Sequence, residues 1–355
     1  MRALVAMSGG VDSSVAAALL LRQGHEVVGA TMKLWGGPSD SGCCSVADTE
    51  DARRVCQQLG IAHHVFNFTS EFERDVVAPY VAAHAEASTP NPCIACNAHL
   101  KFDRFLARAR LLSFDAIATG HHARVTNTGG AWQLRRGLDA AKDQSYVLYM
   151  LGQDRLAQLW LPIGELTKPE VRELAGEIGL RTATKPDSQD VCFISKTGGR
   201  ESFLGQRIEL RPGRLVAPTG EDLGPVEALE LVTVGQRRGL GMAAPSAAER
   251  RYVVDVDLGR RTATLGSLND LLVRKVPVRD MCWGRDPWPD ELPLKAQLSA
   301  HGQPLAARWE ADGPGPGSGS VVLDEPARKV APGQAVVLYQ PDPGGDIVVG
   351  GGTAL

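Results

Sequence analysis

The sequence predicts an α/β amino-terminal domain built on a doubly wound parallel sheet, followed by two small β-rich, barrel-like domains. Three observations carry this expectation. Strand and helix patterns alternate from the first residues to about residue 120. A Gly-rich stretch joins the first strand to the first helix. Beyond about residue 200, short strands alternate with Gly and Pro turns.

Taken in order, strands read at 3–6, 26–32, 63–68 and 116–119, and helices near 12–22, 49–59, 71–87 and 97–112. This alternation predicts a parallel sheet with helices on both faces. Ligands of such sheets sit at the carboxyl ends of the strands. The Gly-rich loop lies at that edge, as do Met32 after the second strand and Gly120 after the fourth. Residues 123–137 interrupt the pattern: Asn127-Thr128-Gly129-Gly130 is a hairpin turn signature between two short strands. Lys168 to Ile178 then reads as helix, with Pro169 suited to its first turn. In the β-rich half, strands are expected at Leu229 to Val234, Tyr252 to Val256, Thr262 to Leu265, Leu271 to Val278, Leu294 to Leu298, Val321 to Leu323, Ala335 to Tyr339 and Ile347 to Val349. Asp312 to Ser320 is low in complexity and is expected to be a loop between two strands. The expected domains are 1–200, 201–272 and 273–355.

Composition narrows the class. Hydrophobic content of 43% and charged content of 22% are ordinary for a soluble globular chain. No apolar run approaches the length of a membrane span. The first strand begins at once, so no signal peptide is expected and a cytoplasmic location is. A net charge of −3 argues against a nucleic-acid partner. Local clusters argue for one: Arg104, Arg108 and Arg110; Arg207, Arg211 and Arg214; Arg237 and Arg238; Arg250 and Arg251. An odd count of seven cysteines is not a disulfide framework.

The loop Ala6-Met7-Ser8-Gly9-Gly10-Val11-Asp12-Ser13 has the chemistry of an anion cradle. Two glycines let backbone approach the anion, and free N–H groups at the helix start point at it. Ser8, Ser13 and Ser14 add hydroxyl donors, and Asp12 can act through a magnesium ion. The ordinary nucleotide loop needs a Lys after its last Gly, and none is present. The form Ser-Gly-Gly-x-Asp-Ser instead resembles the pyrophosphatase loop of enzymes that split ATP into AMP and pyrophosphate.

A second constellation is Thr89-Pro90-Asn91-Pro92-Cys93-Ile94-Ala95-Cys96-Asn97. Asn91 suits an N-cap and Pro92 a first helical residue, which places Cys93 and Cys96 on one face of the first turns. The positive helix end favours thiolate, and Lys101 adds to this. One C-x-x-C leaves alternatives open: half a zinc site completed by His99 and His121, a redox pair, an iron–sulfur site, or two structural thiols. Cys192, in Asp187-Ser188-Gln189-Asp190-Val191-Cys192-Phe193-Ile194, reads on its own as a loop entering a strand.

Taken together these motifs resemble the bacterial tRNA-specific 2-thiouridylases of the MnmA type. The resemblance runs from Met7 to the C-terminus. It also includes Ala118-Thr119-Gly120-His121, Gly137-Leu138-Asp139, Lys142-Asp143-Gln144-Ser145-Tyr146, Thr233 to Gly241 and Pro332-Gly333-Gln334. It implies ATP with magnesium at Ala6 to Ser13, with adenine-side contacts at Met32 and Gly120. It implies a flipped-out tRNA wobble uridine as substrate. Asn91, Pro92 and Cys93, with Lys142, Asp143 and Gln144, would line the base pocket, and His121 and Gln334 would touch tRNA. Uracil O2 would be adenylated with loss of pyrophosphate. Sulfur would then reach C2 from a persulfide on Cys192, with Cys96 as the nucleophile that completes release, leaving a transient Cys96–Cys192 disulfide. The expected partners are tRNAs for Lys, Glu and Gln, and a cysteine desulfurase or sulfur-relay protein.

Two positions depart from the family pattern. Some members carry Asp where this chain has Cys93, a candidate acid/base that a thiol replaces poorly. Cys93, Cys96 and Cys192 could instead hold a [4Fe–4S] cluster with one open iron that delivers sulfide. At Gln297-Leu298 the family often has Arg-Tyr contacting tRNA, so that contact is not carried over. Two other readings compete. A pyrophosphatase-loop synthetase or ligase acting on a small metabolite leaves the three cysteines and the β-rich tail unexplained. A non-enzymatic RNA-binding module leaves the intact loop unexplained.

Overall fold

A computed structural model describes residues 1–35, 45–187, 192–195, 199–240, 250–290, 292–312 and 317–355, without the side chains of Cys192 and Ser195. The chain divides into two compact units that are not contiguous in sequence. The first comprises Met1–Val77, Pro92–Thr197 and Pro341–Val349; the second comprises Ala78–Asn91, Gly198–Gln340 and Gly350–Leu355.

The first unit holds a parallel sheet of β1 (Arg2–Ala6), β2 (Glu26–Lys33), β3 (His63–Asn67), β4 (Ala116–Ala118) and, beyond the hairpin β5 (Ala123–Thr128) and β6 (Ala131–Arg136), β7 (Leu159–Trp160). The sheet order is β3-β2-β1-β4-β7, with neighbouring strands paired parallel throughout. The apolar run of β1 is buried on both faces, as a central parallel strand must be. Ala3 and Val5 pack with α1 (Val11–Arg22), α2 (Val46–Leu59) and the Lys168–Glu177 helix, through Val15, Ala16, Val55, Val171 and Ala175. Leu4, one residue out of phase, is buried on the opposite face. This sheet brings the ends of β1, β2 and β4 to one edge, where the Gly-rich loop follows β1, Met32 lies one residue from the end of β2 and Gly120 follows β4. The β5–β6 hairpin is the predicted one, and Ile347 pairs with its Arg135.

The second unit contains two all-β parts. β8 (Gly213–Val216), β9 (Asp222–Val226), β10 (Tyr252–Asp257) and β11 (Thr262–Gly266) form a sheet in the order β10-β11-β8-β9 around Leu215, Val226, Leu229, Val253 and Leu265. The remaining strands are β12 (Leu272–Trp283), β13 (Pro293–Gln297), β14 (Leu305–Ala311), β15 (Ser318–Arg328), β16 (Ala335–Gln340) and β17 (Ile347–Ala354). They run in the order β12-β15-β14-β13-β16-β17, and β12 also pairs with β17 through Val278–Ala354 and Cys282–Gly351, which closes a barrel. Along β14, inward Ala307 and Trp309 alternate with exposed Arg308. The Trp309 ring meets Trp283 edge-on at 5.5 Å.

Four expectations are corrected. Leu229–Leu231 is a 3₁₀ turn rather than a strand. A short apolar run does not reveal its period, and here Glu230 is drawn inward. Its carboxylate accepts from the Arg211 backbone N–H at 2.9 Å and from Arg211 Nε at 2.8 Å. The Asp312–Ser320 stretch is not wholly a loop, because β15 already begins at Ser318, drawn into register by pairing with β12 and β14. Cys192–Ser195 is a helical turn rather than the entry to a strand. Finally, β8, β9 and β14 are additional strands whose Gly, Pro and Arg content hides their alternation.

The Glu230 side chain is fully buried while Arg211 is 38% exposed. Glu230→Ala is therefore expected to destabilise the second unit by about 2–4 kcal/mol, because it strands Arg211 and leaves a cavity. Urea unfolding followed by tryptophan fluorescence measures this. A loss below about 0.5 kcal/mol would show the pair to be ornamental.

Candidate active site

The site begins at the junction of β1 and α1. Gly10 precedes α1 in an extended conformation, and no side chain caps the helix. The first-turn N–H groups therefore face the loop without an intramolecular side-chain acceptor, the arrangement that receives an anion. Gly9 adopts φ +71°, and any Cβ there would collide with the Asp48 carbonyl oxygen. Lys185 fixes this turn from outside: its Nζ donates to the Gly9 carbonyl at 3.0 Å and to the carboxylates of Asp48 and Asp51, each at 2.8 Å. Met7 is held by its N–H to the Ala30 carbonyl at 2.8 Å, and its own carbonyl accepts from Thr31 Oγ1 at 2.8 Å.

The serines are organised within the loop. The Ser8 N–H donates to Ser13 Oγ at 3.2 Å, and the Ser13 and Ser14 hydroxyls donate to the Gly10 carbonyl at 3.2 and 2.7 Å. Gly120, after β4, lies against the same turn: a Cβ on it would sit 2.6 Å from Asp12 C and from Ser13 N. Met32 and Met7 are buried beside the loop.

Asp12 is the loop's charged group. Its carboxylate receives Lys168 Nζ at 2.7 and 2.8 Å and lies 3.4 Å from His122 Nε2. Burial raises its pKa, but the hydrogen bonds from His122 and Lys168 and the Lys168 charge outweigh this, so the carboxyl sits below its usual range. Lys168 is placed by the start of its helix. There Thr167 and Glu170 form a capping box, and the Lys168 N–H donates to Asp139 Oδ2 at 2.9 Å. Lys168 Nζ also lies 2.9 Å from Asp187, which is gripped as well by Lys142 at 2.8 Å and Arg172 at 2.6 Å. Desolvation opposes ionisation of Asp187, yet the hydrogen bonds and charges of Lys142 and Lys168 hold its pKa well below the ordinary value.

The cysteine segment folds as a helical turn, Pro92–Ala95, continued by a π-helical run, Cys96–Arg104. Its first turn starts at Pro92 as the spacing predicts. The expected activation of the thiols is corrected for Cys96. Burial pushes its thiol up to about 11, with Lys101 opposing and Cys93 adding to the rise. Cys96 is half-buried, and its desolvation outweighs the pull of the helix end and of Lys101. Lys101 Nζ is 3.5 Å from His121 Nε2, and His121 Nδ1 is 2.7 Å from Thr119 Oγ1. His121 is buried, and desolvation together with the charge of Lys101 holds its pKa well below the usual imidazole value. The Lys101 charge acts on Cys96, Lys101 meets His121, and His122, next in sequence, meets Asp12.

The other expected residues divide. Lys142 faces this charge cluster through Asp187. The Asp143 carboxylate accepts from Arg136 Nε at 2.7 Å, the Gly137 N–H at 2.9 Å and the Ser145 hydroxyl at 2.9 Å, which set the turn. Gln144 Oε1 accepts from the His122 N–H at 3.0 Å. Asn91 and Gln334 belong to the second unit, where the Gln334 amide donates to the Thr89 carbonyl. Gln297 is buried and accepts from the Tyr339 hydroxyl at 3.0 Å. The Cys192 side chain, its persulfide and the Cys96–Cys192 disulfide fall outside the described residues. The turn that carries Cys192 is nevertheless anchored in the first unit, where the Phe193 ring packs 6.2 Å from Trp35 and 5.6 Å from Phe72. Among the described residues no group of three or more His, Cys, Asp or Glu could hold a metal. Cys93 and Cys96 supply only two thiols, so the described donors do not complete an iron–sulfur or zinc site.

Sequence reasoning missed Lys168, His122 and Lys185 as members of this site. The only signal was Lys168 beside Pro169, which reads equally well as a helix start.

Family models match along the chain: a tRNA methyl transferase HUP domain over residues 1–196, a tRNA methyl transferase PRC-barrel domain over 201–266 and an aminomethyltransferase β-barrel domain over 273–354. The tRNA-specific 2-thiouridylase MnmA of Chloroflexus aurantiacus is 46% identical over 98% of this chain and 97% of its own length. Those of Corynebacterium efficiens and Moorella thermoacetica are each 44% identical over 99% of this chain and 98% of their own length. The chain belongs to the MnmA family of tRNA-specific 2-thiouridylases. Membership agrees with the fold, since the HUP match spans the parallel-sheet region and the two barrel matches span the two all-β parts. No helix among the described residues is long and apolar enough to cross a membrane.

Proposed function

We infer that the protein is a tRNA-uridine 2-sulfurtransferase, which uses ATP to replace O2 of a tRNA uridine with sulfur. The observation that carries this reading is the union, in one unit, of an anion-binding loop at Gly9–Ser13 and a cysteine segment linked to it through Lys101, His121 and His122. Within the β-rich half we divide the chain at 201–272 and 273–355. Both parts serve to grip folded RNA through backbone and shape.

The loop N–H groups hold the triphosphate, and Asp12 would hold a magnesium ion, which would neutralise phosphate charge. Met32 and Gly120 border the adenine side. The uridine, flipped from its stack, lies against Asn91, Pro92 and Cys93 and beside Lys142 and Gln144. Uracil O2 attacks the α-phosphorus, the bond from that phosphorus to the pyrophosphate oxygen breaks, and the N3 proton departs. The terminal sulfur of a Cys192 persulfide then bonds to C2, and the C2–O2 bond breaks with release of AMP. Cys96 attacks the Cys192 Sγ. Sulfur stays on the base, and a Cys96–Cys192 disulfide awaits a dithiol reductant. The sulfur comes from a cysteine desulfurase or relay protein. The tRNAs are the wobble-uridine acceptors for Lys, Glu and Gln, and the setting is the cytoplasm.

Delivery of sulfide from a [4Fe–4S] cluster on Cys93, Cys96 and Cys192 would need three thiolates, of which the described side chains supply two, Cys93 and Cys96, and we adopt the persulfide route. Protein freed of iron is expected to keep full thiolation with a persulfide donor, measured by mass spectrometry of tRNA nucleosides. Loss of product on iron removal, restored by iron and sulfide, would reverse that choice. A metabolite ligase would instead split ATP with a small acceptor in the absence of RNA.

A further inference from the structure

Lys168 carries a role that neither the loop motif nor the thiolation chemistry assigns. Its side chain is 9% exposed, yet its ammonium is shared between Asp12 of the anion loop and Asp187. A buried ammonium is strongly favoured only where counter-charges surround it. Asp12, Asp139 and Asp187 here face Lys142, Lys168 and Arg172, a set that is already balanced in charge. A triphosphate brings several further negative charges to this edge, and magnesium offsets only two of them. The backbone of Lys168 is fixed by Asp139 and the Thr167–Glu170 capping box, so the side chain can swing without moving its helix.

We propose that Lys168 is the phosphate-tail ligand of this site, a position the ordinary nucleotide loop fills with a Lys of its own. As Mg·ATP binds, the Lys168 ammonium turns from Asp12 to the β- and γ-phosphate oxygens, and the freed Asp12 carboxylate would be left to hold the magnesium ion. The residue missing from the loop in sequence is supplied by a helix 156 residues further along the chain. This inference rests on the ATP reading of the loop.

The test compares Mg·α,β-methylene-ATP and AMP binding to the full-length protein by titration calorimetry. Lys168→Met is expected to weaken the ATP analogue about 10–100-fold, the worth of a charge-assisted hydrogen bond. AMP, which has no β- or γ-phosphate, should change less than about threefold, and Lys168→Arg should recover part of the loss. A structural role would weaken both ligands together, so an unchanged ratio of the two affinities in Lys168→Met overturns the proposal. If Lys168→Met does not fold, the same ratio in Lys168→Gln decides, and a ratio equal to wild type overturns it. Wild-type protein that binds neither nucleotide overturns the ATP reading itself and this proposal with it.

Discussion

Gly120→Ala is expected to lower ATP–pyrophosphate exchange at least about 100-fold, because the new methyl must displace the first turn of α1. Its Cβ would stand 2.6 Å from both Asp12 C and Ser13 N, and both are backbone atoms that cannot rotate away. The loop N–H groups and the Asp12 carboxylate would shift together, so both phosphate alignment and the magnesium position suffer. Global stability should fall less than activity, since the strand end can yield at the sheet edge while catalysis needs registration within a fraction of an ångström. The comparison to make is exchange rate against thermal midpoint in the same preparation. Exchange within threefold of wild type would mean that Gly120 is not part of the nucleotide site.

Cys96→Ala is expected to reduce 2-thiouridine formation about 10³-fold or more while ATP–pyrophosphate exchange stays within about threefold. The separation follows from the chemistry: O2 adenylation uses the loop, and only release of sulfur uses the thiol. Equal loss of both activities would place Cys96 in adenylation or in folding. The environment of Cys96 adds a pH signature. Burial pushes its thiol up to about 11, so the thiolate fraction rises about tenfold per pH unit through the neutral and mildly alkaline range. With preformed adenylate, single-turnover sulfur release should climb with that slope until another step limits it. The sign for stability is opposite. The folded protein keeps a proton on Cys96 that the unfolded chain loses from its ordinary 9.0 upward, so this contribution is present below pH 9 and is lost as pH rises toward 11. Substrate binding that brings a cation or excludes Lys101 from His121 would flatten the profile.

The parallel sheet, the anion loop at the end of β1, the β5–β6 hairpin and the Pro92 helix start were legible in the sequence. Each is a local signal: a buried apolar run, two glycines before a helix, an Asn-Thr-Gly-Gly turn, a Pro at a first turn. What required the fold was every partner drawn from a distant segment. Lys168 reaches Asp12, Lys185 reaches Gly9, and Glu230 is drawn inward by Arg211, and none of these pairings leaves a periodic trace. Even the apparent reactivity of Cys96 reversed, because desolvation depends on what packs over a helix and not on the residues within it. The sequence by itself determined which chemical groups the protein owns and where the backbone must bend to cradle an anion. The tertiary structure decided which charges stand beside that cradle, since electrostatic strength depends on separation in space and burial rather than on order along the chain.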